Sequence, residues 1–255
     1  MLNKQKKYLG QHFLKNKTIL EEMARSGEIS KKDVVLEVGP GLGSLTEILA
    51  ARAKKVIAVE KDRELIPYLQ DKFRNYKNVK ISHGDILKIK TLKLKNYKIV
   101  ANLPYYITSR FLRLFLTNTE CWLCQPKLMV LMVQKEVAER ILARDKKESL
   151  LSLSVKAYAK AEIIRRVSKN FFSPPPKVDS AIIKITPFSP LKVRGAGGVM
   201  NPEKILQLAR LAFQQKRKML RHSLKYNLST SDVDKFGNKR PEELSLEDWA
   251  KIVVK

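Results

Sequence analysis

The feature that most constrains the fold of this chain is an apolar run that ends in a glycine-rich turn, in residues 34–46. The run contains three valines and one leucine, which is typical of a strand buried on both faces of a sheet. The turn, Gly-Pro-Gly-Leu-Gly, leads into a helix-like apolar segment. Glycine permits backbone angles and close approaches that a Cβ atom would prevent, so a ligand can rest there beside a helix N-terminus. The segment therefore predicts the first strand, loop and helix of an open α/β sheet.

The spacing of Gly39, Gly41 and Gly43 distinguishes between two classes of nucleotide ligand. The dinucleotide fingerprint G-x-G-x-x-G would place glycine or alanine at position 44, where this chain has Ser44, and the glycines here follow G-x-G-x-G. This pattern favours S-adenosylmethionine over NAD as the ligand. A nicotinamide-dependent dehydrogenase is also disfavoured because the sequence contains no evident hydride-transfer site. Taken alone, the loop is also compatible with a purely structural turn.

Acidic residues end the next two predicted strands. The apolar run in residues 55–60 ends in Glu60, about twenty residues beyond the loop, where Rossmann-like sites place an acid on the ribose hydroxyls. The run in residues 79–85 ends in Asp85, which can accept a hydrogen bond from an adenine amino group or cap a following helix. We predict that both acids bind the cofactor.

A fourth predicted strand begins at Tyr97 and runs into the sequence Asn-Leu-Pro-Tyr at residues 102–105. Catalytic groups of open α/β sheets collect at such strand ends. The structural alternative is an X-Pro turn with a buried tyrosine. Because they follow the glycine loop and the two acids in this order, the four residues resemble motif IV of the methyltransferases that modify exocyclic amino groups of bases.

Sequence blocks along nearly the whole chain resemble the small-subunit ribosomal RNA adenine dimethyltransferase family. The blocks are residues 10–14, 37–43, 102–105, 133–140, 172–180 and 240–245. Members convert two adjacent adenosines in the 3′-terminal hairpin loop of 16S rRNA to N6,N6-dimethyladenosine. The related 23S rRNA methyltransferases that confer macrolide resistance share several blocks, but residues 177–180 and 213–224 favour the small-subunit family. A non-catalytic RNA-binding assembly factor on the same fold is the alternative from another class.

The resemblance implies a Rossmann-like class I S-adenosylmethionine-dependent methyltransferase fold with a mostly parallel seven-stranded sheet. We expect a catalytic domain in residues 1–190 and a small all-α, RNA-positioning domain in residues 191–255. The cofactor-binding residues carried over from the family are His12, Leu14, Gly39, Gly41, Glu60, Asp85 and Asn102. His12 stands where relatives often have asparagine, and either side chain can donate a hydrogen bond.

The catalytic roles also come from the resemblance. The Asn102 side-chain oxygen and the Leu103 backbone carbonyl are expected to accept hydrogen bonds from the adenine N6 amine, while Pro104 fixes their turn. Tyr105 and Phe172 are expected to sandwich the target ring. Phe172 lies in a proline-rich loop, and without the resemblance a core anchor for that loop is the favoured interpretation.

The charge of the chain favours a polyanionic partner. Its 51 Lys and Arg residues exceed its 25 Asp and Glu residues, which gives a net charge of +26. Nucleic acid is the usual partner of such a protein, although scattered lysines account for part of the excess. The resemblance identifies the partner as 16S rRNA in an assembling small subunit, and the basic helical segment at residues 215–225 is expected to contact RNA phosphate.

Other features exclude several classes of protein. No apolar run has the length of a membrane span, and the basic N-terminus leads into no signal-type apolar core, so we expect a cytoplasmic protein. We also expect it to be a monomer. Cys121 and Cys124 have the C-x-x-C spacing of zinc ligands, but no second pair exists. We therefore predict reduced structural thiols and no metal.

Overall fold

The computed structural model describes residues 12–14, 16–88, 94–117, 125–145, 147–188, 194–195, 198–199 and 201–253. Cys121 and Cys124 lie outside these ranges, so their predicted role stays a prediction. Packing divides the chain into two compact units, Met1–Ala138 with Glu162–Pro187, and Glu139–Ala161 with Phe188–Lys255. Within the described ranges, no helix is long and apolar enough to cross a bilayer.

A seven-stranded, mostly parallel sheet organises the first unit. The strands that precede residue 188 are β1 (Phe13–Leu14), β2 (Val34–Val38), β3 (Lys55–Glu60), β4 (Val79–His83), β5 (Tyr97–Asn102), β6 (Leu128–Gln134), β7 (Ala159–Val167), β8 (Phe172–Ser173) and β9 (Ser180–Pro187). The sheet has the order β4-β3-β2-β5-β6-β9-β7. Neighbouring strands from β4 to β6 pair in parallel, while β9 runs antiparallel to β6. This topology confirms the predicted fold class.

Helices pack on the sheet through continuous apolar surfaces. The helices of this part of the chain are α1 (Lys17–Ser26), α2 (Ser44–Arg52), α3 (Leu65–Lys72), α4 (Thr108–Leu116) and α5 (Lys135–Leu142). Ile19 of α1 and Leu49 of α2 share one buried cluster with Val35, Val100 and Val130 of the sheet. Burial of such aliphatic side chains stabilises the unit by about 1.5–3 kcal/mol each.

The strand order reverses beside β2, and this reversal creates a binding crevice. The chain moves outward from β2 through β3 and β4 and then returns to β5 on the other side of β2. Parallel strands with such a reversal leave a crevice at their carboxyl ends, where open α/β sheets bind ligands. The glycine turn after β2, Glu60 at the end of β3 and Asn102 at the end of β5 all belong to this edge.

The N-cap of α1 is Asn16, whose side chain accepts the Ile19 backbone N–H at 3.1 Å. Asparagine is a stronger N-cap than threonine, since its carbonyl oxygen reaches the first turn readily. The helix therefore begins at Lys17, and Thr18 lies in its first turn.

The second unit is built mainly of helices. They are α6 (Leu150–Tyr158), α7 (Pro202–Gln214), α8 (Leu220–Ser223), α9 (Thr230–Phe236) and α10 (Leu246–Val253), accompanied by a short hairpin of β10 (Arg194–Gly195) and β11 (Gly198–Val199). Helices α6, α7 and α10 pack on one another and bury Leu153, Ile205 and Trp249.

The two compact units differ in one respect from the predicted domains. The division at residues 187 and 188 lies close to the predicted boundary at residue 190. Residues 139–161, however, pack in the second unit, because α6 buries its apolar face against α7 and α10. The assignment of catalysis to residues 1–190 and RNA positioning to residues 191–255 stays a prediction.

The basic segment at residues 215–225 is less helical than its pattern indicates. Gln215 has φ −122° and ψ 48°, which ends α7 at Gln214. A turn follows, closed by the Lys218 N–H and the Gln215 carbonyl at 2.8 Å, and only Leu220–Ser223 then forms helix. Leu220 and Leu224 are the buried residues of this stretch. The intervening cations lie on the surface.

Candidate functional site

An open cleft, about 1070 Å³ with the solvent space at its mouth included, lies at the carboxyl edge of β2, β3 and β5 in the first unit. Most of the residues predicted from the sequence line it. They are His12, Leu14, Gly39, Gly41, Glu60, Asp85, Asn102, Leu103, Pro104 and Tyr105. Phe172 is not among the lining residues. The cleft is large enough for a nucleoside-sized ligand, and its walls combine apolar side chains with a few oriented polar groups.

The glycine loop forms the wall next to β2. Gly39 and Gly41 have φ values of +68° and +58°, in the left-handed region that favours glycine. A Cβ atom on Gly41 would lie 2.8 Å from a ring carbon of Phe13. A side chain at either position would therefore strain the backbone of the loop, and one at Gly41 would also push against Phe13 of the N-terminal strand β1.

Glu60 is a buried carboxylate that the backbone holds in one orientation. Its Oε2 accepts the Gly41 N–H at 3.2 Å, and its Oε1 accepts the Asp62 N–H at 2.8 Å. Burial raises the pKa of Glu60, while these backbone hydrogen bonds oppose the rise. The contact with Gly41 also ties the glycine loop to the end of β3. Remaining lone pairs can accept hydrogen bonds from ligand hydroxyls.

Asp85 lines the cleft and also caps a short turn. Its Oδ1 accepts the Leu87 N–H at 3.0 Å, and its Oδ2 lies 3.0 Å from Lys61 Nζ. Partial burial alone would raise the pKa of Asp85, but the Lys61 ammonium and the Leu87 N–H lower it below its usual value. Asp85 can therefore cap the turn and line the cleft at the same time, which are the two roles predicted for it.

Glu37 is a cleft residue that the sequence reasoning missed. The side chain is 1% exposed, and its Oε2 is buried without a hydrogen-bond partner in the described part of the chain. Burial raises the pKa of Glu37 to about 8, against the opposing influence of the neighbouring Thr46 hydroxyl. The sequence could have identified Glu37, because a glutamate inside an otherwise apolar strand needs a polar partner or a ligand.

The turn after β5 presents Asn102 to the cleft. The Asn102 Nδ2 donates to the His12 backbone carbonyl at 3.3 Å, which leaves Oδ1 as the acceptor end of the amide. The Leu103 N–H donates to the Met132 carbonyl at 3.3 Å, and the Ile107 N–H closes the turn on the Pro104 carbonyl at 3.1 Å. The turn is therefore fixed to β6 and to the N-terminal segment.

Tyr105 is held at its hydroxyl and at its ring. Its OH shares a hydrogen bond of 2.7 Å with the Ser180 Oγ, and its ring lies 6.0 Å from the His12 ring at an interplanar angle of 22°. Burial raises the pKa of Tyr105, and the bond to Ser180 opposes the rise. A neutral phenol in a fixed orientation suits a stacking surface better than a proton acceptor.

Phe172 is buried in this structure rather than exposed to the cleft, so its predicted stacking role stays a prediction. It forms β8 with Ser173 and pairs with Leu14 of β1. Its side chain is 4% exposed and belongs to the same apolar cluster as Leu14 and Val167. The alternative from the sequence, a core anchor for the proline-rich loop, fits this position, because the pairing of β8 with β1 turns the ring into the core.

Comparisons with known proteins agree with this arrangement. A family model described as ribosomal RNA adenine dimethylase matches residues 2–253 of the chain. Ribosomal RNA small subunit methyltransferase A of Dehalococcoides mccartyi (strain CBDB1) is 41% identical over 266 aligned residues, covering 98% of this chain and 88% of that protein. One similar solved structure is a dimethyladenosine transferase from Plasmodium falciparum, with a TM-score of 0.78, 29% identity and coverage of 95% of this chain and 96% of that chain.

A further solved structure, the 23S rRNA methyltransferase ErmE, has a TM-score of 0.75 at 23% identity and covers 95% of this chain and 100% of its own. At that identity the likeness concerns the fold. Together the matched structures confirm the methyltransferase fold predicted from the sequence.

Proposed function

Because this chain belongs to the ribosomal RNA adenine dimethylase family, we propose that it methylates N6 of two adjacent adenosines in the 3′-terminal hairpin loop of 16S rRNA, with S-adenosylmethionine as the methyl donor. The product is N6,N6-dimethyladenosine in the small ribosomal subunit. The observation that carries the proposal is the position of residues 102–105, at the end of β5 in the same cleft as the glycine loop, Glu60 and Asp85.

The residues of the cleft fit S-adenosylmethionine. The buried Glu37 Oε2 lacks a partner within the described ranges and can receive the ammonium group of the cofactor, while Glu60 can receive its ribose hydroxyls. Asp85 can accept the adenine amine, and the positive-φ glycines leave room for the main chain to approach the ligand. When bound, the cofactor supplies an electrophilic methyl group, and no metal is needed for this chemistry.

The turn at residues 102–105 would prepare the target amine. The lone pair of adenine N6 is delocalised into the ring, so attack requires the nitrogen to approach a tetrahedral geometry and to be held in line. Asn102 Oδ1 and the Leu103 carbonyl oxygen would accept hydrogen bonds from the N6 amine and so favour the tetrahedral geometry of the nitrogen. Tyr105 lines the cleft and would support the ring from one face. Phe172 is buried in this structure, so its contact with the other face stays a prediction.

The surface of the second unit supports an RNA substrate. Its basic segment carries exposed cations at Lys216, Arg217, Lys218, Arg221 and Lys225. Within the described residues none of these five forms an ion pair with an acid. Uncompensated positive charge of this density attracts phosphate and releases condensed counterions when RNA binds. An unpaired target adenine can then leave its stack at low cost. We place this activity in the cytoplasm, with the protein acting as a monomer.

The experiment that tests the proposal is mass spectrometry of 16S and 23S rRNA after incubation with the enzyme and isotopically labelled S-adenosylmethionine. We expect two adjacent dimethylated adenosines near the 3′ end of 16S rRNA. Label confined to 23S rRNA would instead assign the chain to the large-subunit activity, and no label in either RNA would favour the non-catalytic assembly factor.

A further inference from the structure

Tyr105 is fixed at both ends of its side chain, and the residues that fix it come from two distant segments. The Tyr105 hydroxyl meets the Ser180 Oγ at 2.7 Å, and its ring is nearly parallel to the His12 ring, with 6.0 Å between the ring centroids. Ser180 is the first residue of β9 and pairs with Gln134 of β6. It is completely buried, so its hydroxyl is a rigid partner rather than a surface group.

His12 is itself held by its neighbours. Its Nδ1 lies 2.9 Å from the Pro174 carbonyl oxygen. A carbonyl oxygen only accepts hydrogen bonds, so Nδ1 carries the proton and donates. The His12 backbone carbonyl accepts the Asn102 Nδ2, which links the same residue to the proposed methyl-accepting site. His12 therefore contacts Asn102, Tyr105 and the proline-rich loop together.

The burial of Phe172 makes the orientation of the Tyr105 ring important for binding the target adenine. Because the Phe172 ring is buried in the core, Tyr105 is the aromatic ring of the predicted pair that faces the cleft. A flipped adenine that stacks on one ring depends strongly on the orientation of that ring. Positioning a reactant before reaction contributes much of the rate in such sites, and small displacements are costly.

We propose that Ser180 and the His12 imidazole are positioning residues that clamp Tyr105 as a preformed platform for the target adenine. The clamp rests on the proposed function and adds two residues that act through Tyr105 rather than on the substrate. The clamp contributes to the methyl-transfer step, because neither the Ser180 nor the His12 side chain is needed to attract RNA. The two methyl transfers to one base would use the same fixed platform.

The test compares Ser180→Ala, Tyr105→Phe and the double variant in single-turnover methylation of small subunits that lack the modification. Each single change removes one side of the same hydrogen bond. We expect each to slow methyl transfer by about tenfold, with the affinities for S-adenosylmethionine and for the subunit changed less than about twofold. The double variant should be no slower than the slower single variant, because residues that share one interaction are not additive.

Two further variants separate positioning from a general loss of stability. Ser180→Thr keeps the hydroxyl and should restore most of the rate. Ser154→Ala, the control, removes a partly buried hydroxyl that donates to the Leu150 carbonyl inside α6. It should leave the rate unchanged. His12→Ala should also slow methyl transfer, because it removes the ring beside Tyr105. Since His12 is also an expected cofactor contact, its rate is compared at saturating S-adenosylmethionine.

A measurement on the protein alone keeps this test independent of the proposed function. With ring-labelled tyrosine, Tyr105 should give one sharp set of NMR signals in the native protein and exchange-broadened signals in Ser180→Ala. A Ser180→Ala rate within twofold of the native rate, multiplicative effects in the double variant, or unchanged sharp signals would each overturn the clamp. If the native enzyme methylates no adenosine in 16S rRNA, the proposed function fails, and the NMR result alone decides whether Tyr105 is clamped.

Discussion

At the scale of single residues, polar groups in the cleft are satisfied to very different degrees. Glu60 has a backbone donor on each oxygen, whereas the Glu37 Oε2 has no partner in the described structure. Leaving a buried carboxyl without a donor disfavours its charged form. A cationic ligand group placed beside the Glu37 Oε2 would therefore stabilise the charged form of this carboxyl.

The pH dependence of stability should report this mismatch. The pKa of Glu37 is about 8 in the folded chain and about 4.5 in the unfolded chain. Between these values the unfolded chain releases a proton that the folded chain keeps, so the free energy of unfolding falls as pH rises. The fall attributable to Glu37 is at most roughly 1.4 kcal/mol per pH unit.

Glu37→Gln removes this titration and should flatten the pH profile. We expect the stability of the variant relative to the native protein to increase between about pH 5.5 and pH 7.5, by roughly 1–3 kcal/mol. Urea unfolding of both proteins at several pH values measures the difference. Parallel profiles would show that Glu37 titrates normally in the folded state.

At the scale of elements, the sequence predicted best where backbone chemistry constrains the chain most. Three features lie where the sequence pattern placed them: the glycine turn, the acids that end β3 and follow β4, and the turn after β5. Their positions are fixed locally by the spacing of apolar residues, by the residues that favour turns and by the ends of the strands. The burial of Phe172, the position of Glu37 in the cleft and the contact of Ser180 with Tyr105 could not be predicted, because they depend on contacts between segments distant in the chain. Nothing near Phe172 in sequence reveals that Leu14 pairs with it.

The glycine loop offers a test at this scale. Gly41→Ala combines an unfavourable φ of +58° with a Cβ atom placed 2.8 Å from the Phe13 ring. We expect a loss of about 1–2 kcal/mol in the free energy of unfolding from the backbone strain alone. Urea denaturation provides the measurement.

Gly84→Ala is the matched control, because a Cβ atom there meets no atom within 4 Å. Its effect should stay within about 0.5 kcal/mol. Adding Phe13→Ala to Gly41→Ala should remove the steric part of the loss and leave the backbone part. Equal stability of Gly41→Ala and the native protein would contradict the strain expected from the positive φ of Gly41.

At the scale of the whole molecule, function combines a preorganised cleft with a strongly basic surface. The net charge of +26 was clear from the sequence, but its arrangement required the structure. In the second unit, Leu220 and Leu224 are buried, while Lys216, Arg217 and Lys218 face solvent. A break after α7 exposes these cations on a turn rather than on the continuous helix that the pattern indicated.

Replacing Lys216, Arg217 and Lys218 together by glutamine should weaken binding to the small subunit and make it less sensitive to salt. If all three contact phosphate, the slope of log affinity against log salt should become smaller by about 2–3. Affinity for S-adenosylmethionine should not change. Titrations at several salt concentrations measure the slope.

The control for this charge change is the triple glutamine variant at Lys54, Lys77 and Lys80, which are exposed in the first unit. It lowers the net charge equally, so it measures the contribution of the overall field. Equal slope changes in the two triple variants would contradict a specific phosphate contact at the turn after α7.

The central claim is that the turn at residues 102–105 is the place where adenine N6 is methylated, and Asn102→Ala tests it most directly. The change removes the Oδ1 acceptor and also the bond from Nδ2 to the His12 carbonyl, so calorimetry should first establish how far S-adenosylmethionine affinity falls. At saturating cofactor, mass spectrometry of 16S rRNA after single turnover should show N6,N6-dimethyladenosine forming roughly a hundred- to thousandfold more slowly than with the native enzyme. Transfer of both methyl groups at a rate near the native one would contradict the account.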